Sequence, residues 1–325
     1  MRGFRKRHLA LAILFLIGCV VVYFIINFPW IFERQNYPGV YDVKVLSDQI
    51  VWEAKWSPDG AKIAMKTQKR RDVTAPVVLR ILDVEKQTIE QIPISAEKLS
   101  PTNKFVLGYL DWSPDGENLT ISGNPADKPE HQGIWILNLL TYDMKMLTKG
   151  RYFSWSPNGD RIAIIQDKTL KILHVEDNQE YSIQLLQPVD NIDWSPQGDR
   201  LVVSSPEADD QGYRVDRLYI FDIEGEEFQA FLSDSFWSMR KPIWLPNGDW
   251  LSFIIKNVPE GGVIAAAPTT GQCIFSWFPE LKRIDSIDIT KDGKKLLVVS
   301  WGDLKIVDIE KAGGQHLLPE NLVCP

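Results

Sequence analysis

The sequence has few residues of the kinds that bind transition metals or form disulfide frameworks. Its 325 residues include only three cysteines and four histidines. No CxxC spacing and no HExxH pair occurs among them, which argues against a zinc site. A P-loop, a GxGxxG loop and a GxSxG nucleophile elbow are missing as well. The sequence therefore predicts no cofactor and no metal, and it offers no motif for an enzyme.

Basic residues are also in deficit. The chain carries 36 Lys and Arg against 43 Asp and Glu, a formal net charge of −7. Four of the basic residues lie in the first eight positions, so the remainder carries −11. An acidic body is repelled by phosphate backbones, which makes nucleic acid a poor partner. The 44% hydrophobic content is typical of a globular domain.

The amino terminus has the features of a membrane anchor. The 20 residues from Leu9 to Phe28 contain no formally charged side chain, and a helix of that length spans about 30 Å, enough to cross a bilayer core. Basic residues before the span favour a cytoplasmic amino terminus. We expect a cytoplasmic tail at residues 1–8, a transmembrane signal anchor at 9–32, a linker at 33–40, and a periplasmic or extracellular domain at 41–325.

Two other fates of this segment stay open. LIGC at residues 16–19 resembles a bacterial lipobox, which would lipidate Cys19, although a further apolar run follows it. A cleaved signal peptide is the other alternative, although no A-x-A-like cleavage site is present. All three readings place most of the chain outside the cytoplasm.

A short motif recurs six times along the rest of the chain. WSPDG at residues 56–60 and 112–116 is followed by WSPNG, WSPQG, WLPNG and ITKDG. The glycines are 56, 43, 39, 50 and 45 residues apart, a period that indicates a repeat architecture. The motif glycines are Gly60, Gly116, Gly159, Gly198, Gly248 and Gly293.

The residue types of the motif predict a tight hairpin turn. Proline presets φ for a turn, and the glycine supplies a positive φ. An active site is not copied six times with drift, so we interpret the Ser, Asp and Gly of the motif as structural. Its tryptophans end a strand, and we expect them to pack between neighbouring units. These are Trp56, Trp112, Trp155, Trp194 and Trp244.

A second apolar hairpin follows each motif, for example VLRILDVEKQTIEQI at residues 78–92. Four strands per unit and six units predict an all-β fold: a six-bladed β-propeller with four antiparallel strands per blade, preceded by one N-terminal transmembrane helix. A disulfide between Cys273 and Cys324 would pin the carboxyl terminus. Ring closure can instead rest on residues 41–46, joining the last blade as an added strand.

The WSPDG segments and their variants resemble the WD40-like PD40 repeat of TolB-type propellers, over roughly residues 40–320. The resemblance implies the six-bladed fold and says little about activity. The chain departs from TolB in having a membrane anchor where TolB has a separate α/β domain.

The two faces of such a propeller differ in their loops. Loops between strands two and three and between blades are long and irregular, as at residues 69–76, 124–132, 206–216 and 233–241; we term their side the irregular-loop face and the opposite side the turn face. Irregular loops on a rigid scaffold commonly bind partners. Packing of the 233–241 connector against its own aromatics is the alternative. The candidate binding residues are Phe236, Trp237, Met239, Arg240, Arg70, Arg71 and His131.

The residue before each motif tryptophan can approach the central channel. Asp111 and Asp193 occupy this position in two blades, and Asp288 occupies it by alignment in the sixth blade, which has no motif tryptophan. Three carboxylates there could hold a hard cation, or each could bond its own turn or a neighbouring backbone amide.

Together these features predict a membrane-anchored, extracytoplasmic scaffold that binds a protein or an envelope polymer without catalysis. The alternative is an extracytoplasmic hydrolase or lyase acting on a glycan or peptide, with carboxylates converging at the channel mouth. A purely structural or sensory module is a third possibility.

Overall fold

The six motif copies each form the tight turn that their residue types predict. In the computed structural model, which describes residues 38–43, 46–72, 74–94, 104–232, 238–256 and 258–312, the amide of Gly60 donates to the carbonyl of Ser57 at 2.8 Å. The amide of Ser57 donates to the carbonyl of Lys62 at 2.9 Å and closes the hairpin. Gly60 has a φ of +69°, and the other five motif glycines lie between +72° and +79°. Glycine adopts this left-handed region without strain.

In five of the six turns a hydroxyl donates a hydrogen bond to a nearby carboxylate; the fifth copy has Leu245 in place of the hydroxyl residue. Ser57 Oγ accepts from the amide of Lys62 at 2.8 Å and donates to Asp59 Oδ1 at 2.5 Å. In the third copy asparagine replaces that aspartate, and Ser156 donates at 2.8 Å to Asp160, one residue after the glycine. The carboxylate acceptor thus comes from a different position of the motif, but the serine hydroxyl still donates a hydrogen bond to it.

The alternating apolar residues after each turn form four-stranded antiparallel sheets, as predicted. The strands of the first three blades are β2 (Gln49–Trp56), β3 (Lys62–Lys69), β4 (Val78–Asp83) and β5 (Thr88–Gln91); β6 (Phe105–Trp112), β7 (Asn118–Pro125), β8 (Gly133–Asn138) and β9 (Met144–Lys149); and β10 (Tyr152–Trp155), β11 (Arg161–Gln166), β12 (Thr169–His174) and β13 (Glu180–Gln184). A short 3-10 helix, Pro129–His131, lies between β7 and β8.

The other three blades repeat the pattern. Their strands are β14 (Asn191–Trp194), β15 (Arg200–Ala208), β16 (Arg214–Asp222) and β17 (Glu227–Phe231); β18 (Met239–Trp244), β19 (Trp250–Ile255), β20 (Val263–Pro268) and β21 (Phe275–Ser276); and β22 (Ile284–Ile289), β23 (Lys295–Ser300), β24 (Asp303–Asp308) and β1 (Val40–Asp42).

A strand from the start of the domain completes the last blade. Strand β1 pairs antiparallel with β24, with Val40 opposite Val307 and Tyr41 opposite Ile306. The segment at residues 41–46 was the predicted source of this strand, and β1 overlaps it. The innermost strands β2, β6, β10, β14, β18 and β22 contact one another in sequence, and β22 contacts β2. The ring is therefore closed.

The motif tryptophans pack between blades, as the two-residue period of the strands predicts. Trp56 lies in a core cluster with Leu297 and Val299 of the sixth blade, and Trp244 lies with Val202 of the fourth. Both tryptophans are about 95% buried, at 5% and 4% exposed. Each contact joins a blade to the one before it, so the core is distributed around the ring.

The chain divides into two units, Met1–Pro38 and Gly39–Pro325, and the propeller belongs to the second. The anchor predicted at residues 9–32 lies outside the described residues. Within the described ranges no helix is long and apolar enough to cross a membrane.

Cys273 lies just before β21 and takes part in a disulfide bond. The other two cysteines of the sequence, Cys19 and Cys324, both lie outside the described residues. Pairing of Cys273 with Cys324 therefore stays a prediction.

Thiol counting tests this pairing. Labelling of the denatured, unreduced full chain is expected to modify one thiol in the wild type and none in Cys19→Ser, because the two remaining cysteines are joined. Cys324→Ser is expected to expose two thiols. Two labelled thiols in Cys19→Ser would instead show that Cys273 pairs with Cys19.

Candidate functional site

The innermost strands bring ionisable side chains from four blades into the central channel. Successive side chains on a strand face opposite ways. The residue before each motif tryptophan therefore faces away from the inter-blade core. Lys55, Asp111 and Asp193 occupy this position, and Asp288 occupies the equivalent position before Ile289 in the sixth blade. The four residues influence one another electrostatically. We term them the channel cluster.

One cation stands among three carboxylates in this cluster. Lys55 Nζ lies 3.1 Å from Asp288 Oδ1, and these side chains are only 20% and 15% exposed. Burial opposes the charge of Lys55, but the surrounding carboxylates outweigh it, so the pKa of Lys55 lies above its ordinary value. The ammonium of Lys55 therefore stays protonated throughout the physiological pH range.

The carboxylates shift in the direction that burial dictates. Burial raises the pKa of Asp193 to about 7, and the charge of Lys55 offsets only part of this effect. The same cause raises the pKa of Asp111 to about 6. The pKa of Asp288 is raised as well, again chiefly by burial. Asp111 and Asp193 thus change protonation near neutral pH.

Two members of the cluster also tie neighbouring blades together. Asp288 Oδ2 accepts from the amide of Trp56 at 2.7 Å, and Asp193 Oδ2 accepts from the amide of Trp244 at 2.8 Å. The indole of Trp244 donates back to the carbonyl of Asp193 at 3.2 Å. A neighbouring backbone amide was one of the two predicted partners. Asp111 differs, because it accepts from the amide of the next residue in its own strand at 2.8 Å.

The alternative of a hard cation in the channel finds no site in the part of the chain that the structure describes. No group of three His, Cys, Asp or Glu side chains there is arranged to hold a metal ion. Instead the ammonium of Lys55 lies against Asp288.

The predicted loop candidates do not form one site. Arg71 and His131 are exposed, whereas Met239 is completely buried in the core between blades four and five and so is not available to a partner. Arg70 pairs with Asp303 of the sixth blade. Phe236 and Trp237 lie outside the described residues.

Arg240, the remaining candidate, belongs to a chain of ion pairs. Its Nε lies 2.5 Å from Asp216 Oδ2, and Arg214 binds the other oxygen of Asp216 at 2.8 Å. Asp216 is fully buried. Burial opposes its ionisation, but bonds from Ser238 and the two arginines hold its pKa below the ordinary value. Arg214 also binds Asp190 at 2.5 Å, so the two arginines neutralise two aspartates.

A cleft that the sequence did not indicate opens between blades two, three and four on the irregular-loop face. It encloses about 650 Å³, within the range of ligand sites. Its walls come from the ends of blade strands and the connectors between them, which share no motif. The lining residues are Gln132, Lys149, Gly150, Arg151, Tyr152, Ile165, Gln166, Asp167, Pro188, Val189, Asp190, Pro206 and Arg214. We term this the loop-face cleft.

Tyr152 belongs both to this cleft and to an aromatic pair on the inner strands. Its ring lies 4.7 Å from that of Tyr109 in an edge-on contact. Lys66 stands 5.8 Å from the Tyr109 ring and 2.9 Å from the buried carboxylate of Glu53. Burial raises the pKa of Tyr109, so its hydroxyl stays protonated.

Comparison with known proteins supports the fold. The sequence matches no family profile and no curated protein. Among solved structures, TolB from Acinetobacter baumannii is similar, with a TM-score of 0.51 at 11% identity over 82% of this chain and 65% of that one. The chain thus forms a TolB-like six-bladed β-propeller and spans about two thirds of TolB's length. At this identity the likeness concerns the fold alone.

Asp193→Asn is expected to make the protein less sensitive to pH between about 5 and 7. With its pKa raised to about 7, folded Asp193 holds a proton that the unfolded chain has released above about pH 4. The free energy of unfolding therefore falls as pH rises, by up to about 1.4 kcal/mol per pH unit from this group. Asparagine keeps an acceptor for the Trp244 amide and removes the ionisation.

Chemical denaturation at pH 5, 6 and 7 measures this slope. Asp177→Asn makes the same change in an exposed turn and is expected to keep the wild-type slope. Equal slopes in the wild type and in Asp193→Asn would contradict the shift.

Proposed function

We propose that this protein is a non-catalytic binding scaffold, held at a membrane by its amino-terminal helix, which binds a protein or an envelope polymer outside the cytoplasm through its irregular-loop face. The observation that carries this proposal is the contrast between the two faces of the propeller. The turn face carries six motif turns that share the same backbone hydrogen bonds. The irregular-loop face holds the cleft and the longer loops.

Exposed apolar side chains also favour the irregular-loop face as the binding surface. Of the nine large hydrophobic residues exposed in the described ranges, Leu186, Tyr213 and Trp301 lie in its loops, and Val106 begins a strand there. Their exposed fractions run from 53% for Val106 to 92% for Leu186. Such side chains at one face of a rigid scaffold are typical of a contact surface.

The hydrolase or lyase alternative has one observation in its favour. Carboxylates of blades two, four and six share the channel with Lys55, and perturbed pKa values are common at active sites. However, Asp193 and Asp288 already accept backbone amides of the next blade. Their contacts are accounted for by blade docking, and for this reason we favour binding. Glycan or peptide turnover that is lost in Asp193→Asn would reverse the preference.

Site-specific photo-crosslinking tests the binding face. A photoreactive residue in place of Tyr213, 72% exposed, is expected to yield a discrete adduct in cells of the source organism. The same residue in place of Leu140, 89% exposed in the turn between β8 and β9, is the control on the turn face. Equal adducts from both positions, or adducts from Leu140 alone, would contradict the assignment.

Fractionation tests the anchor. The full chain is expected to remain in the membrane fraction after alkaline carbonate extraction, because 20 uncharged residues are costly to expose to water. Ile17→Arg with Val21→Arg, which places two charges in the middle of the span, is expected to release it. Recovery of the intact wild type in the soluble cytosolic fraction would overturn the proposal.

A further inference from the structure

Two cations of the loop-face cleft are not neutralised by the protein. Lys149 and Arg151 flank the buried Gly150 at the junction of blades two and three. Within the described ranges neither forms an ion pair, and Arg151 only stacks on the Tyr152 ring at 5.5 Å. Arg214, by contrast, is held by Asp190 and Asp216.

The charge balance of the cleft is therefore positive. Asp190 and Asp216 are matched by Arg214 and Arg240. Asp167 is the remaining acid of the lining and offsets one of the two free cations. One positive charge is left over, on a chain whose total is −7. A ligand with a single carboxylate is attracted locally, whereas a polyanion is repelled by the whole body.

Two large and exposed apolar side chains lie close in the chain to lining residues of the cleft. Leu186, in the connector that contributes Pro188 and Val189, is 92% exposed, and Tyr213, next to Arg214, is 72% exposed. Apolar side chains beside a carboxylate are a property of polypeptides. A charged sugar chain offers few such groups to bury.

We propose that the loop-face cleft binds a polypeptide segment in which a carboxylate side chain is flanked by apolar residues. The carboxylate lies between Lys149 and Arg151, and the flanking side chains cover Leu186 and Tyr213. This inference rests on the proposed binding function and names the chemistry of its partner.

A titration with short synthetic peptides tests the inference on the full chain in detergent. Ligand-observed NMR compares Gly-Ser-flanked peptides with the centres Leu-Glu-Leu, Leu-Gln-Leu and Ser-Glu-Ser, together with a trigalacturonate oligosaccharide. The Leu-Glu-Leu peptide is expected to bind at least about fivefold more tightly than each of the others, the scale of one partly exposed ion pair. Equal binding of Leu-Gln-Leu, or tighter binding of the oligosaccharide, would overturn the inference.

Substitutions in the cleft test whether the peptide binds there. Lys149→Gln and Arg151→Gln are each expected to weaken Leu-Glu-Leu binding about fivefold, and Arg151→Lys to keep it. Asp167→Asn is expected to strengthen binding, and asparagine tolerates the positive φ of 54° at this position. Lys145→Gln, the same charge change on the same strand β9 but outside the cleft, is the matched control. Equal losses in Lys145→Gln and Lys149→Gln at unchanged melting temperature would refute the site.

The two proposals fail separately. If crosslinks form from position 213 but no peptide binds, the inference about the ligand is wrong and the scaffold function stands. If the peptide binds at the cleft and no adduct forms in cells, the scaffold function is wrong and the cleft chemistry stands.

Discussion

Four of the six blade junctions share one contact, in which the second-last residue of an innermost strand bonds the motif tryptophan of the next blade. Asp193 accepts the amide of Trp244 and receives its indole on the main-chain carbonyl. Ser154 does the same for Trp194, at 3.2 Å and 3.0 Å. Because one blade supplies the acceptor for its neighbour at these junctions, the register of one sheet fixes the angle of the next. At the junction of blades six and one the amide bond to Asp288 is made, while the Trp56 indole finds no partner among the described residues.

This arrangement gathers charge at the centre of the ring. Acceptors strong enough to hold a backbone amide are best supplied by carboxylates, and three of them meet in the channel. Lys55 compensates the carboxylates, but burial still holds two of them near their midpoint at neutral pH. The electrostatics of the channel thus follow from blade docking, which separates it from the cleft on the irregular-loop face. There Lys149 and Arg151 have no ion-pair partner in the described residues.

The repeat made the fold predictable. The glycine with positive φ, the preceding proline and the two-residue alternation act over fewer than ten residues, so hairpins, strand order and the tryptophan layer could be derived without tertiary information. The closing strand was predicted at residues 41–46 and lies at residues 40–42. Its pairing with β24, at the other end of the propeller sequence, is a tertiary contact that the local pattern alone does not specify. The binding residues could not be derived from local patterns. Methionine is a residue type that is common at binding surfaces, but the position of Met239 on β18 places it in the core. Arg240 is paired with Asp216, which lies 24 residues away in the sequence.

The sequence by itself determined the six hairpin units and the acidic body, because both depend on local residue types and on simple counts. Only the tertiary structure decided which polar groups meet. The cleft draws its walls from the junctions of three blades, and the ion pairs of Arg214 leave Lys149 and Arg151 as its available cations. Which charged groups pair depends on distances between residues that are far apart in the chain. These distances cannot be derived from spacings along the sequence.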